Sequence, residues 1–226
     1  MRAPLGRLVV PLCLSLGATV HAQPLQVTDG PGDHTEAAWS PDGSRIAFQL
    51  KTETGHHLCL LDVESGRVSA PYDGPGDAMY PAWSPDGQWI AYCFQHITTT
   101  AVQGIGNGAN LFVIPATGGE PRRLTSGLCR DYVPCFTPDG QSILFASSRG
   151  SQEPSVGLYS VPAAGGEPRL LALQDTQDVA LVEPDVSPDG RFIAHSFIAS
   201  FRSNWAVRLA RTEDPAQAFT IGDPSR

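Results

Sequence analysis

Carboxylate side chains are the groups in this sequence whose spacing could support chemistry. Glu36 lies three residues before the tryptophan of one repeated segment, and Glu183 lies three residues before the matching position of another. Asp185 stands two residues after Glu183. Carboxylate oxygens bind hard cations such as Ca²⁺ and pair with basic side chains. These three residues are therefore weak candidate ligands for a divalent cation or a basic group, and a solvated cluster without a ligand is the favoured alternative.

A second acidic pattern, DGPGD, occurs twice, at residues 29–33 and 73–77. Acidic residues among glycines can supply oxygen ligands to calcium, but neither copy has the longer alternating oxygen pattern of a dedicated calcium loop. Gly, Pro and Asp are also the residues that tight turns prefer. We interpret both segments as turns and predict no bound cofactor, with calcium as a weakly supported exception.

Known catalytic motifs are missing from the sequence. It contains no GxSxG nucleophile elbow, no P-loop, no HExxH pair and no EF-hand loop. His195 occupies a position that is aromatic in the other repeats, so we interpret it as a packing residue. The remaining histidines beyond the N-terminal segment share no spacing: His34, His56, His57 and His96. The sequence therefore predicts a protein that is not an enzyme and has no catalytic residue.

The first 22 residues are typical of a secretory signal peptide. Arg2 and Arg7 precede an apolar run, and the segment closes with Val20-His21-Ala22, the small-residue pattern of a cleavage site. A short N-terminal membrane anchor is the alternative. Removal of residues 1–22 would leave residues 23–226 as one exported domain, periplasmic or secreted, with no stable membrane insertion.

The net charge narrows the choice of partners. The chain carries 15 Lys and Arg against 23 Asp and Glu, a formal charge of −8 at pH 7. Such a surface repels phosphate backbones and anionic lipids, which argues against nucleic acid. A cationic ligand or a basic protein surface fits better, although the charge also favours solubility alone.

Four cysteines lie beyond the signal segment: Cys59, Cys93, Cys129 and Cys135. An oxidising compartment permits disulfides, and four cysteines allow three pairings, among which the sequence does not choose. Cys129 and Cys135 are close enough in sequence to be joined. Cys59 and Cys93 lie inside strand patterns, where buried free thiols are expected.

The elements that position all these residues come from an internal repeat. AWSPDGSRIAF starts at Ala38, AWSPDGQWIAY at Ala82, CFTPDGQSILF at Cys135 and DVSPDGRFIAH at Asp185. Similar segments recurring at intervals of 44, 53 and 50 residues indicate a repeat architecture. The central Pro-Asp-Gly of each copy favours a tight turn between two strands.

Each repeat unit shows the same order of four strands, two around the Pro-Asp-Gly turn and two around a Gly-rich turn. The large apolar residue before each Pro-Asp-Gly turn is expected to fill the gap between facing sheets. These residues are Trp39, Trp83, Phe136 and Val186. Four antiparallel strands in about 45–50 residues predict an all-β propeller of four blades. The predicted blades are residues 34–72, 78–126, 131–173 and 179–221.

The repeat resembles the PD40 (WD40-like) β-propeller repeat of TolB-like propellers and of prolyl-oligopeptidase-type peptidases. The resemblance rests on WSPDGxxIAF and the segments after it, and it extends from about Leu25 to Ile221. It implies a propeller that binds proteins or ligands in the cell envelope. TolB proteins join a six-bladed propeller to a preceding α/β domain. Because the first blade follows closely on the predicted signal peptide and four motifs occur rather than six, we expect the likeness to cover the propeller alone.

The sequence leaves the closure of the propeller open. Four blades could close into a ring, with Leu25–Thr28 as an outer strand on the last blade, although Phe219–Ile221 competes for that place. One alternative is an open arc that self-associates through an exposed apolar face. Another is a shortened relative of a longer propeller.

The first strand of each blade is expected to line the central channel, with side chains alternating along it. Glu36, Glu183 and Asp185 would then meet on one side of the channel. The partner-binding candidates lie at or near the first strands: Asp33, His34, Asp77, Tyr80, Arg130 and Asp131. The loops 96–110 and 176–179 extend this expected surface.

The leading hypothesis is a non-catalytic module that binds a protein or ligand in the cell envelope. The alternatives are a metal-dependent, carbohydrate-active propeller of the lyase type and a remnant of a longer propeller without a function of its own.

Overall fold

The structure is a computed structural model that describes residues 26–28, 30–72, 74, 76–95, 108–150, 156–173, 180–198 and 205–220. The predicted signal peptide lies outside these residues. Within the described ranges there is no helix with the length and apolar character needed to cross a membrane.

The described residues form sixteen strands in four antiparallel sheets, each with its four strands in chain order. Blade 1 contains β1 Asp33–Trp39, β2 Arg45–Thr52, β3 Gly55–Asp62 and β4 Val68–Ser69. Blade 2 contains β5 Asp77–Trp83, β6 Trp89–Gln95, β7 Ala109–Pro115 and β8 Arg122–Arg123. Blade 3 contains β9 Asp131–Phe136, β10 Ser142–Ser147, β11 Gly157–Pro162 and β12 Arg169–Leu173. Blade 4 contains β13 Ala180–Val186, β14 Phe192–Ile198, β15 Trp205–Arg211 and β16 Asp214–Thr220. The prediction of an all-β, four-blade architecture is confirmed.

One repeated set of hydrogen bonds holds each Pro-Asp-Gly turn. In blade 1 the Ser40 hydroxyl donates to Asp42 Oδ1 at 2.7 Å and accepts from the Arg45 amide at 2.8 Å. Asp42 Oδ1 also accepts from the Ser44 amide at 3.0 Å. The same bonds recur around the aspartates of the other turns, Asp86, Asp139 and Asp189. The glycine after each Asp has a left-handed φ of 69–72°, so the motif specifies a turn that few other residues could form.

These turns predict a defined acid sensitivity. The Ser40 hydroxyl and then the Ser44 amide lower the pKa of Asp42 to about 2. A pKa that is lower in the folded chain than in the unfolded one stabilises the fold above about pH 4, and this contribution disappears as the pH falls toward 2. We expect Asp42→Asn, which cannot ionise, to lower the melting temperature at pH 6, and we expect this difference to vanish near pH 2.

The measurement is thermal unfolding followed by circular dichroism between pH 6 and pH 2. Glu64→Gln, which changes an exposed carboxylate outside the four turns, is the matched control and should show no such pH-dependent difference. A constant difference between wild type and Asp42→Asn across the whole range would contradict the role of the ionised carboxylate.

The hydrophobic core lies between the blades. Trp83 of blade 2 packs in a cluster with Ala47 and Leu58 of blade 1. Phe136 of blade 3 packs against blade 2, and Val186 of blade 4 packs against blade 3. Three members of the column, Trp83, Phe136 and Val186, therefore face the preceding blade, which confirms the predicted role of the column in the three gaps between blades.

The arc of blades is open at both ends. Trp39 is 60% exposed, whereas its counterparts in the same column, Trp83, Phe136 and Val186, are 8–9% exposed. At the other end Val207 is 43% exposed, whereas its counterparts in blades 1 to 3 are at most 1% exposed: Leu58, Leu111 and Leu158. Within the described ranges, strand packing links successive blades, and no extended contact joins blade 4 to blade 1.

The clasp considered for ring closure is not formed by the described residues. Residues 26–28 belong to no strand. The fourth strand of blade 4 is β16, which pairs with β15 and contains Phe219. Leu25 and Ile221 lie outside the described residues. The chain after β15 takes the place predicted for Leu25–Thr28, and the described parts of the four blades form an open arc.

The four cysteines are free thiols. Cys59 and Cys93 are buried in strands, as their sequence context predicted, and burial raises the pKa of the Cys93 thiol to about 12. The disulfide considered between Cys129 and Cys135 is not formed. Burial also raises the pKa of Cys135 to about 12, so its thiol stays protonated at neutral pH.

Candidate functional site

The inner side of the arc is built from the first strand of each blade. β1 lies against β5, β5 against β9, and β9 against β13. Each of these strands carries a β-bulge at the same place. The first residue of each bulge has a φ of 52–56°, although none of these residues is glycine: Glu36, Tyr80, Val133 and Glu183. A left-handed backbone conformation is uncommon at non-glycine residues and is concentrated at functional sites. These four positions are therefore the first candidates for a binding site.

Because of the bulges, side chains do not alternate simply along the first strands, as the sequence had predicted that they would. Thr35 and Ala38 pair with residues that are two apart on β2, so Glu36 and Ala37 together oppose a single residue. Ala38 packs with the core between blades 1 and 2. Glu36 and Ala38 therefore do not share one inward row, because the bulge re-aims the side chains on either side of it.

Sequence reasoning missed the bulges although a signal for them was present. Pro81, Pro134 and Pro184 lie inside first strands, each directly after a residue with positive φ. Proline cannot donate to a strand ladder and is confined to edges and bulges. The three prolines thus indicate a bulge in blades 2, 3 and 4, whereas blade 1 has Ala37 at the same position.

Side chains from three blades share one polar region on the inner side. Tyr80 is half-buried, and its pKa is raised first by that burial and then by the charge of Glu36, with a smaller contribution from Glu183. Both glutamates are exposed, and the Ser196 hydroxyl donates to Glu183 Oε2 at 3.3 Å. We call Glu36, Tyr80 and Glu183 the acidic inner edge.

Asp185, the third predicted carboxylate, takes part in other contacts. Its Oδ1 accepts from the Val186 amide at 2.9 Å and lies 3.5 Å from Cys135 Sγ. In the part of the chain that the structure describes, no group of three or more His, Cys, Asp and Glu side chains is placed to hold a metal ion. The acidic inner edge offers two carboxylates and a phenol, which suits a basic side chain.

Two of the predicted contact residues are engaged within the fold. Asp77 accepts from the His56 amide at 2.6 Å and lies 3.0 Å from His56 Nδ1, which ties blade 2 to blade 1. Asp131 is fully buried and accepts from the Ser147 hydroxyl at 2.6 Å and from Arg149 at 2.5–3.1 Å. Their carboxylates are used for structure, so we leave both residues out of the contact surface.

The other predicted contact residues lie in different places. Asp33 is exposed at the start of β1, and the ring of His34 lies 5.5 Å from that of Phe48. Arg130 is exposed, while its backbone bonds with Ser148. Residues 96–107 and 176–179 of the predicted contact loops, and residues 29, 73 and 75 of the DGPGD segments, lie outside the described residues. Contact by Asp33, His34 and Arg130 remains a prediction.

A separate groove lies between blades 2 and 3 beside their Pro-Asp-Gly turns. Trp89 and Phe136 form part of its apolar wall, and Arg122 donates to the Ala163 carbonyl at 2.8 Å. Its aspartates, Asp86 and Asp139, are bound within their turns. Because the charged groups of this groove, Arg122, Asp86 and Asp139, already have partners, the acidic inner edge is the stronger candidate site.

Comparison with known protein families supports the architecture directly. A family model described as the TolB β-propeller domain (PD40) matches residues 35–214, from β1 to the start of β16. The chain belongs to the TolB β-propeller family. A comparison with curated proteins finds no match.

Solved structures include several that resemble this TolB-family propeller. TolB from Acinetobacter baumannii superposes with a TM-score of 0.68 at 21% identity, covering 90% of this chain and 47% of that one. A putative TolB from Agrobacterium tumefaciens gives 0.64 at 23% identity, covering 82% and 63%. An oligogalacturonate lyase in complex with manganese gives 0.64 at 14% identity, covering 87% and 55%. At these identities the likeness shows the fold, and the chain spans roughly half to two thirds of those proteins.

Proposed function

We propose that this chain is an exported propeller of the cell envelope that binds a basic segment of a partner protein without catalysing a reaction. The observation that carries the proposal is the acidic inner edge. Glu36, Tyr80 and Glu183 occupy the same bulge position in three different blades, and the charges of both glutamates contribute to the raised pKa of Tyr80.

The chemistry of this edge fits a cationic partner. Two exposed carboxylates on one side of a protein with a net charge of −8 attract Lys and Arg and raise the rate of encounter with a basic segment. Tyr80 adds an aromatic surface that Arg and Lys can pack against. The bulges fix the backbone under all three side chains, which lowers the entropy lost when a ligand binds.

The family match and the similar solved structures also support this proposal. TolB proteins are among the structures that the chain resembles, and the sequence predicts a signal peptide that would send the chain to the periplasm or outside the cell. The manganese complex of the lyase concerns that protein, and no contact among the described residues specifically favours a lyase here.

The proposal is tested with a fluorescent, extended Lys/Arg-rich peptide and fluorescence anisotropy at several salt concentrations. We expect the double variant Glu36→Gln/Glu183→Gln to bind this peptide about tenfold more weakly, a loss of about 1.4 kcal/mol. The dependence of affinity on salt should also become shallower, because two charge pairs are lost.

The matched control is Glu64→Gln/Glu120→Gln, which removes two exposed carboxylates from the segments between the third and fourth strands of blades 1 and 2. It changes the net charge by the same amount and should leave binding nearly unchanged. Equal weakening by both double variants would show attraction by overall charge alone, and undetectable binding by the wild type would reject a site for basic segments.

A further inference from the structure

The two ends of the arc carry opposite halves of one repeated interface. Within the chain, each interface joins the large apolar column of one blade to the small apolar face of the blade before it. Blade 1 leaves its column residue, Trp39, exposed, and blade 4 leaves its face around Val207 exposed. We propose that these two end faces bind each other between two copies of this chain, head to tail, in a closed ring.

The interface between blades 1 and 2 shows how the ends would fit. Trp83 packs with Ala47, Leu58 and Leu60, and its indole N–H donates to the Ala38 carbonyl at 3.1 Å. The guanidinium of Arg45 lies 4.8 Å from the Trp83 ring. An apolar face, a carbonyl and a cation together receive the indole.

Blade 4 presents equivalent groups at its open face. Strand pairing aligns Ala194, Val207 and Leu209 with Ala47, Leu58 and Leu60, and it aligns Asp185 with Ala38. The three apolar residues are half-buried or exposed, while their counterparts in blade 1 are buried. The Asp185 carbonyl stands where the Ala38 carbonyl receives the indole of Trp83.

A cation is also available at this end. Phe192 occupies the position of Arg45, and the guanidinium groups of Arg191 and Arg211 lie 5.5 and 5.6 Å from its ring. Both arginines are exposed. They can cover the indole of an incoming Trp39 as Arg45 covers Trp83.

The face around Trp39 supplies the complementary half. Trp39 shares its side of blade 1 with Ile46, Phe48 and Leu50, through its pairing with Ile46. Phe48 is buried, and Ile46 and Leu50 are partly buried. The exposed indole is therefore the group that an interface at this end has to cover.

Different surfaces that bind head to tail produce rings when their rotation closes and filaments when it does not. Two copies would provide eight blades, which is within the range of about four to eight blades found in propellers. Each ring would contain two identical interfaces related by a two-fold axis, and no apolar end would remain exposed.

The first experiment measures mass in solution by light scattering coupled to size exclusion. We expect the wild type to have twice the mass of one chain, and we expect Trp39→Glu and Val207→Glu to be monomers, with dissociation constants raised at least about 100-fold. Leu128→Glu, which places the same charge at a leucine 74% exposed and away from both ends, is the control and should remain a dimer. Circular dichroism checks that each variant is folded.

The decisive experiment mixes the two monomeric variants in equal amounts. In a head-to-tail ring, Trp39→Glu keeps an intact blade 4 end and Val207→Glu keeps an intact Trp39 end, so one native interface forms and a mixed dimer appears.

A face-to-face dimer through Trp39 alone would give no mixed dimer and is an overturning result. A monomeric wild type, or a mass that grows beyond two chains with concentration, would also overturn the closed ring. So would a monomer in which Trp39→Glu lowers the melting temperature, because another segment of the same chain would then cover Trp39.

Discussion

Replacing Trp83 with alanine is expected to lower the free energy of unfolding by about 3–5 kcal/mol, the range observed when large aromatic residues are removed from cores. The indole is 8% exposed and packs between blades 1 and 2. Its loss would leave a cavity, remove the hydrogen bond to the Ala38 carbonyl and leave Arg45 without its aromatic partner. Urea unfolding followed by circular dichroism measures the change.

Trp39→Ala is the matched control, because it changes the same residue type at the same position of the repeat. Both variants are made in the Val207→Glu background, which removes any contribution from association. Trp39 is 60% exposed, so its loss should cost about 1 kcal/mol or less. Equal losses of stability for the two variants would contradict the difference in packing between Trp39 of blade 1 and Trp83 of blade 2.

Replacing Arg149 with alanine is the second large effect that we expect, a loss of about 3–5 kcal/mol. Arg149 binds the buried carboxylate of Asp131 through Nε and a terminal nitrogen and donates to the Ser126 carbonyl at 2.7 Å. Tyr159 donates to the Arg149 carbonyl at 2.5 Å. Without the guanidinium, Asp131 would be a buried charge that lacks its cation, which costs far more than the loss of a surface ion pair.

The surface pair of Arg191 and Asp189 provides the comparison. Their charged atoms are 3.8 Å apart and both side chains are largely exposed. Both arginine variants are made in the Val207→Glu background, which removes any contribution of Arg191 to association, and there Arg191→Ala should change stability by about 0–1 kcal/mol. Unfolding in urea at neutral pH measures both variants under one set of conditions. A loss for Arg149→Ala as small as that for Arg191→Ala would show that water replaces the guanidinium at Asp131.

Much of the fold is predictable from the sequence because turns and large apolar residues act locally. The four Pro-Asp-Gly segments specify their turns through bonds between residues two to five apart, so the strand boundaries follow from them. Trp83 and Phe136 mark the face that meets the preceding blade. Neither inference needs knowledge of distant parts of the chain.

The candidate site was only partly predictable for a physical reason. Glu36 and Glu183 were identified as carboxylates of the inner strands, but simple alternation placed Glu183 and Asp185 on the same side of the channel. A bulge of one residue overrides the period of two along a strand, and its signal in the sequence is a proline such as Pro81 rather than a hydrophobic pattern. The buried carboxylate of Asp131 is paired with Arg149, which lies eighteen residues away in the turn after β10, and no local sequence pattern predicts such a pair.

The simple order of strands within each sheet also bears on how the chain reaches its native state. Among the described residues, every strand pairs with the strand before or after it in sequence. Pairing of these strands thus requires only the closure of loops between neighbouring strands, whose entropic cost is small. The rate of sheet formation is therefore not limited by a search for segments that are distant in the sequence. Each blade can form as soon as its own residues are available and can then serve as a template for the next blade. Folding is accordingly expected to spread along the chain from one blade to its neighbour.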